Sequence, residues 1–197
     1  MRIITFSGVD GSGKSTQLER LRTKLMSQGK QVAYFHAVAF SLPETLRTKL
    51  FGSRAVGTAK AGVKSSLIGI GLRKIVLFID LWRFRRFVKR LEKLGTEYLL
   101  SDRYFYDTLV NIAYLDTTGL DTPFMRFIAK HTPKPTQAFY LRVTPEKVME
   151  RERAPEQGLQ YLKDKTRLFD QARESWHFIT LDADQSMDEI TNQIQVG

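Results

Sequence analysis

The segment GVDGSGKST at residues 8–16 restricts the possible folds more than any other part of the chain. It fits the pattern G-x-x-x-x-G-K-[ST], in which glycines allow a tight turn whose backbone N–H groups converge on phosphate oxygens. A helix after the loop adds the positive end of its dipole. The context matches, because residues 3–6 form an apolar, strand-like run and an amphipathic helical pattern follows the loop. The sequence therefore predicts a phosphate-binding loop between a strand and a helix.

Two residues of this loop have specific predicted roles. The ammonium of Lys14 would contact the outer phosphates of a nucleoside triphosphate, and the Ser15 hydroxyl would hold a magnesium ion. The alternative is a glycine-rich turn that merely precedes a helix. The other residues predicted to bind the nucleotide are Gly8, Asp10, Gly11, Ser12, Gly13 and Thr16.

The rest of the chain predicts an α/β fold. Short apolar runs alternate with segments of helical period, which is typical of a mostly parallel sheet covered by helices on both faces. A length of 197 residues favours one domain. Local signals mark helix ends: Gly29 and Gly95 are predicted C-terminal caps, Thr144-Pro145 begins a helix, and Ser41 with Glu44 and Ser186 with Glu189 fit capping boxes. The four further predicted strands are residues 32–35, 98–100, 138–143 and 178–181.

Composition narrows the classes of partner. The chain has no cysteine, no secretory signal and no uninterrupted apolar span, so a cytoplasmic protein is expected. A net charge of +10 favours polyanionic partners. No nucleic-acid-binding motif is present, so nucleic acid is an unlikely partner, while peripheral contact of the basic segment 73–93 with an anionic membrane stays an alternative to a solvated face. Weakly patterned residues 52–71 and 154–160 are candidates for mobile segments.

A second informative stretch ends the predicted strand at residues 98–100. Asp102 would lie at the carboxyl edge of the sheet beside the phosphate loop, where it can hold magnesium or its waters. Arg103 offers a planar fork that suits a phosphate. A strand-end ion pair is the alternative. A signalling GTPase is excluded by the missing Asn-Lys-x-Asp tetrapeptide, and the D-x-x-G match at residues 116–119 is interpreted as a loop turn.

The chain resembles thymidylate kinase and its nucleoside monophosphate kinase relatives. The resemblance rests on the loop, on Asp102-Arg103-Tyr104 and on a C-terminal part that contains Thr144-Pro145-Glu146, Arg151-Glu152-Arg153 and residues 178–183. It implies a three-layer P-loop kinase fold with a five-stranded, mostly parallel sheet and a small lid near residues 151–162. It also implies transfer of the γ-phosphoryl group of ATP to a nucleoside monophosphate, in the first place dTMP, with Mg²⁺.

The resemblance carries specific roles to matching residues. Asp10 would lie near the sugar and phosphate of the acceptor, and Arg103 would contact the acceptor phosphate. Tyr104, the aromatic residue that follows Arg103, would also bind the acceptor. The loop has Ser12 and no arginine, so a lid would supply the catalytic arginine. Arg151 and Arg153 are the candidates, with Arg167 further away. The alternative for both lid residues is a solvated helix face of alternating charge.

Three departures concern the acceptor. Residues 36–41 lack the arginine of the acceptor loop, and Trp82 stands where an arginine is expected. Phe78 would stack on the base or, alternatively, belong to the core, and Tyr114 is shifted by three residues from the expected tyrosine. The identity of the acceptor therefore stays open. The acceptor could be a different phosphorylated small molecule, or the protein could be a nucleotide-binding regulator without transfer. By analogy, residues 75–87 are a candidate homodimer contact.

Overall fold

Five parallel strands form the centre of the structure, a computed structural model that describes residues 1–36, 67–151 and 154–196, the side chains of 67–69 excepted. The strand order is β2-β3-β1-β4-β5, and every neighbouring pair is parallel. The carboxyl ends of all five strands therefore lie along one edge of the sheet. The strands are β1 (Arg2–Ser7), β2 (Val32–His36), β3 (Tyr98–Asp102), β4 (Gln137–Arg142) and β5 (Ile179–Asp182).

The helices begin and end largely where local signals predict. Gly29 and Gly95 adopt φ of +76° and +77° just beyond α1 and α2, the left-handed conformation that closes a helix. Ser186 and Glu189 form a capping box at the start of α7. The helices of the described residues are α1 (Lys14–Ser27), α2 (Leu67–Lys93), α3 (Phe105–Asp116), α4 (Pro123–His131), α5 (Pro145–Met149), α6 (Gly158–Ala172) and α7 (Met187–Gln193).

The core lies around the two central strands. All residues of β3, and all of β1 except Arg2, are buried, as expected for strands covered on both faces. Phe6 of β1 is stacked on Phe139 of β4, with ring centroids 5.3 Å apart. This burial keeps the carboxyl edge of the sheet rigid where the phosphate loop leaves β1.

The predicted three-layer α/β fold is confirmed, with a sheet that is parallel throughout. One boundary is wrong: residues 67–71, assigned to a weakly patterned segment, are the first turns of α2. The buried side chains of Ile70, Leu77, Leu81 and Phe84 follow helical spacing, and they extend the packed face of α2 back toward its start. Residues 52–66 and the Ser41–Glu44 capping box lie outside the described residues.

Turn structure at residues 117–119 agrees with the interpretation of the D-x-x-G match as a loop. α3 ends at Asp116, and Thr117 adopts φ of +54°. Across the described ranges, α2 included, no helix has both the length and the hydropathy to traverse a bilayer.

Candidate active site

The phosphate loop leaves β1 beside the end of β3, because Phe6 lies opposite Asp102 in the parallel register. Gly8, the first residue of the loop, has φ of +142°, and a Cβ atom there would lie 2.7 Å from the carbonyl oxygen of Leu141 in β4. Only glycine fits so close an approach of two backbones. The loop is therefore tightly packed on β4 at its first residue.

Lys14 lies under the loop and is 5% exposed. Its Nζ donates to the carbonyl oxygen of Val9 at 2.6 Å and to Ser12 Oγ at 3.3 Å. Burial, together with the positive charge of Arg103, lowers the pKa of Lys14 to about 8. Gly13, the N-cap of α1, makes no side-chain cap, so the first-turn N–H groups of α1 have no such partner. A helix start of this kind suits an anion.

Ser15 and Asp102 meet at the sheet edge. Ser15 Oγ donates to Asp102 Oδ2 at 2.5 Å, and Asp102 is 5% exposed. A hydroxyl and one carboxylate fit Mg²⁺, which takes few protein ligands and completes its octahedron with waters and substrate phosphates. No cluster of three or more acidic, histidine or cysteine side chains occurs within the part of the chain that the structure describes. The donor set therefore suits a metal shared with phosphates. Thr16 is exposed next to Ser15.

Asp10 and Arg103 form an ion pair across the mouth of the loop, in which Arg103 Nη2 donates to Asp10 Oδ1. Burial alone would raise the pKa of the Asp10 carboxyl, but the positive charges of Arg103, Lys14 and Lys165 outweigh it and hold that pKa below its usual value. Arg103 adopts φ of +66°, an unusual conformation for a non-glycine residue. Its N–H donates to the carbonyl oxygen of Phe6 at 3.0 Å, which links the turn to β1.

Three residues that sequence reasoning missed complete this cluster. The Tyr161 hydroxyl donates to Asp10 Oδ2 at 3.3 Å, and Lys165 Nζ lies 4.6 Å from the centre of the Tyr161 ring. Asp107 is 3% exposed and accepts hydrogen bonds from Ser7 Oγ at 2.6 Å and from the Gly8 N–H at 3.3 Å. The spacing of Asp107 three residues after Tyr104 was a usable signal for a helix cap. Nothing local linked α6 to the loop.

The candidate lid arginines are Arg151, Arg153 and Arg167. Arg151 Nη1 donates to the carbonyl oxygen of Gly11, and its Nη2 lies 3.5 Å from the carbonyl oxygen of Ala183. Arg153 lies outside the described residues. The side chain of Arg167 is 70% exposed and pairs with Asp164 of its own helix. Of the described candidates, Arg151 is therefore the one in contact with the phosphate loop.

Two aromatic residues occupy places that the sequence did not indicate. Tyr104 is fully buried and its hydroxyl donates to the carbonyl oxygen of Pro133 at 2.6 Å, which corrects its predicted substrate-binding role, since the side chain belongs to the core. Phe78 is 53% exposed and stacks on Phe127 of α4, so the alternative that Phe78 is a core residue is wrong. Its stacking on a base stays a prediction.

Tyr114 contacts the cluster at Tyr161, where the two rings pack edge to face with centroids 5.3 Å apart. Trp82 is 58% exposed and carries the guanidinium of Arg86 on its face at 4.6 Å. A cavity of about 330 Å³ opens on the other side of the site, toward β2. Of the described residues that line it, Ser15 and Asp102 also belong to the candidate site, and the others are Leu18, Glu19, Arg22 and Tyr34.

Comparisons with known proteins agree with this geometry. The chain is 28% identical to the thymidylate kinase of Schizosaccharomyces pombe over 98% of its own length and 89% of that protein. It is 25% identical to a probable thymidylate kinase of Methanocaldococcus jannaschii, covering 97% and 92% of the two chains. The structure of thymidylate kinase from Candida albicans matches with a TM-score of 0.69 at 16% identity, over 98% of this chain and 88% of that one. No family model matches.

The parallel sheet and the loop between β1 and α1 define the class of P-loop kinases. Within that class, similarity over nearly the whole length of the chain makes it a thymidylate kinase-like protein.

Proposed function

We propose that the chain transfers the γ-phosphoryl group of ATP to a nucleoside monophosphate, with dTMP as the acceptor. The observation that carries the proposal is the arrangement of charge around one loop. Lys14, Ser15 and Asp102 lie at its helix end, and the Asp10–Arg103 pair lies at its other end. The similarity to thymidylate kinases supports both substrates.

In this proposal the helix end of the loop binds ATP. The first-turn N–H groups of α1 would donate to phosphate oxygens, and Lys14 would exchange its contact with the Val9 carbonyl for the outer phosphates. Ser15 and Asp102 would hold Mg²⁺, which neutralises charge on the donor phosphates. Preorganised donors of this kind stabilise the charge that develops on the transferring group.

The other end of the loop would bind the acceptor. Arg103 is 18% exposed at its side chain and is held by Asp10, so its guanidinium is already oriented for a phosphate. Asp10 is 40% exposed at its side chain, within reach of a sugar hydroxyl. Tyr161 and Tyr114 would line the same end.

The chain would form a single kinase domain, in which residues near 151–162 are a small lid. Arg151 already contacts the loop at Gly11, and a guanidinium there supports a role in stabilising the transferring phosphoryl group. Closure over ATP would exclude water that otherwise hydrolyses it. Arg153 keeps the same predicted role.

A second candidate keeps the chemistry and changes the acceptor. Trp82 stands where the resemblance expects an arginine, and this exposed ring is covered on one face by Arg86. An arginine that reads a thymine base is missing at this position, which favours another phosphorylated small molecule. A cytoplasmic location and a homodimer stay predictions from the sequence.

A panel assay tests the proposal. ADP formation from ATP and Mg²⁺ is measured with dTMP, UMP, CMP, AMP, GMP and ribose 5-phosphate. Saturable turnover with dTMP is expected, and Lys14→Ala should abolish it. Lys24→Ala, a change at an exposed lysine of the same helix, should leave it unchanged. ATP binding without acceptor-dependent ADP formation would rule out the transferase.

A further inference from the structure

Lys165 is a buried lysine with no role in the mechanism above. It lies on α6, and only 5% of the residue is exposed. Burial lowers its pKa to about 8, so the ammonium form still predominates at pH 7. A buried charge of this kind is costly unless it has hydrogen-bonding partners.

The described residues around Lys165 provide charge, but none of them accepts a hydrogen bond from its ammonium. The negative charge of Asp10 favours the ammonium, but both Asp10 oxygens already receive a hydrogen bond, one from Arg103 and one from Tyr161. Its Nζ lies over the face of the Tyr161 ring, 4.6 Å from the ring centre. Within residues 1–36, 67–151 and 154–196, no hydrogen bond or ion pair involves this ammonium. Among these residues, three N–H donors of Lys165 are thus left without an acceptor, and a bound ligand can supply one.

The position of Lys165 indicates which ligand supplies that acceptor. The charged groups that act on it most strongly are Asp10 and Arg103, followed by Asp107 and Lys14. Asp10 and Arg103 pair with each other, whereas Ser15 and Asp102 form the separate pair at the helix end of the loop. The assignment of the Asp10–Arg103 pair to the acceptor rests on the proposed function. Two cations that both act on one carboxylate suit a doubly charged phosphate monoester better than a neutral sugar or base.

We propose that Lys165 is a substrate-binding residue whose ammonium donates to the phosphate oxygens of the acceptor, together with the guanidinium of Arg103. The acceptor must then carry a phosphate monoester. The unphosphorylated nucleoside lacks the group that Lys165 contacts, so its affinity does not depend on this residue.

Calorimetry on the whole chain, with ADP and Mg²⁺ present, tests this proposal. Lys165→Met should weaken dTMP binding by about tenfold or more, because a charge-assisted hydrogen bond is lost. Thymidine and ADP affinities should stay unchanged. Lys163→Met is the matched control, since Lys163 is exposed on the same helix and pairs with Glu146 at 2.8 Å. A general structural defect would weaken ADP and dTMP together, and that result, like unchanged dTMP affinity, would overturn the proposal.

A measurement on the unmutated protein gives an independent answer. Acetic anhydride acetylates free amines, and dTMP should slow the acetylation of Lys165 by about tenfold or more if the two are in contact. Acetylation of Lys163, read from the same digest, should not change. Equal rates at Lys165 with and without dTMP would contradict the proposal.

Ribose 5-phosphate separates this inference from the proposed function. Binding of ribose 5-phosphate that depends on Lys165, with no transfer to any nucleotide, would support the inference and refute the kinase activity. Transfer to dTMP, together with an unchanged dTMP affinity in Lys165→Met, would support the kinase activity and refute the inference. Absence of binding by both dTMP and ribose 5-phosphate would refute the inference as well.

Discussion

At the residue scale, the carboxylate of Asp107 connects the start of the phosphate loop to the turn after β3. Its Oδ2 accepts from Ser7 Oγ at 2.6 Å and from the Tyr104 N–H at 2.9 Å, and its Oδ1 accepts from the Gly8 N–H. Because an ionised carboxylate has only acceptors, it suits three donors at once. This single side chain therefore holds the loop and the Arg103 turn in a fixed relation.

Asp107→Asn should loosen that connection. The amide can no longer accept at both ends, which leaves a buried donor unpaired at a cost of about 1–3 kcal/mol. We expect the free energy of unfolding in urea to fall by that amount and ATP affinity to fall with it. Asp121→Asn, at a side chain that is 86% exposed, should change neither. An Asp107→Asn protein as stable as the original would contradict this role.

The buried amine of Lys165 predicts a pH dependence of stability. Its pKa is about 8 in the folded protein and near 10.5 when exposed, so between these values the unfolded chain binds more protons. Stability from this group therefore rises as pH increases above about 8, by up to about 1.4 kcal/mol per unit. Urea unfolding at pH 7.5 and 9.5 should show the unmutated protein gaining stability relative to Lys165→Met. A constant difference between the two would refute this assignment.

The sequence identified those site residues that belong to a motif or that directly follow a predicted strand. The loop, Asp102 and Arg103 follow from motif and edge position. Tyr161 and Lys165 lie about 150 residues beyond Asp10, and only tertiary packing of α6 joins them. Their i, i+4 spacing puts both on one helix face, but spacing alone says nothing about which surface that face meets. Burial of Tyr104 likewise follows from packing and not from its motif.

At the element scale, the turn from β1 to α1 depends on its contact with β4. Gly8 and Gly29 both adopt positive φ, but only at Gly8 would a Cβ atom clash with backbone, at 2.7 Å from Leu141 O. Gly29→Ala should cost about 1 kcal/mol from its backbone conformation alone. Gly8→Ala should cost clearly more and abolish nucleotide binding. Equal losses in urea unfolding for the two variants would show that the close approach is unimportant.

The segment between α5 and α6 contacts the loop through Arg151. Arg151→Ala should lower turnover far more than ATP affinity, because the proposed contact forms with the transferring phosphoryl group. Arg167→Ala, at an exposed arginine that pairs with Asp164 of the same helix, is the matched control and should retain full activity. Steady-state kinetics with direct ATP binding measures both. Equal turnover in the two variants would remove Arg151 from the mechanism.

The sequence predicted where strands begin and end better than it predicted which neighbours cover each helix face. Each strand was located to within two residues, because short apolar runs between helical patterns have few alternatives in a parallel sheet. Phe78 shows the limit. Its helical spacing was compatible with the core, but the residue is 53% exposed beside Phe127. Whether an apolar helix face is covered depends on neighbours that the helix itself does not encode.

At the scale of the whole molecule, the chain has a net charge of +10 and its candidate site is rich in cations. Positive charge of this kind is expected in a protein that binds two phosphorylated substrates. Two of the site cations, Lys14 and Lys165, are buried. The parallel sheet brings the ends of β1 and β3 together, and α6 contacts the loop through the hydrogen bond from Tyr161 to Asp10. One site thus binds ATP and the acceptor together, so that the γ-phosphoryl group passes to the acceptor and ADP is left.

Direct tracing of the phosphoryl group tests that claim. The protein is incubated with Mg²⁺, dTMP and ATP labelled in its γ-phosphate, and the products are separated by chromatography. We predict label in dTDP, none in dTDP with Lys14→Ala, and little in inorganic phosphate. Label that appears only in inorganic phosphate, or stays in ATP, would contradict the account.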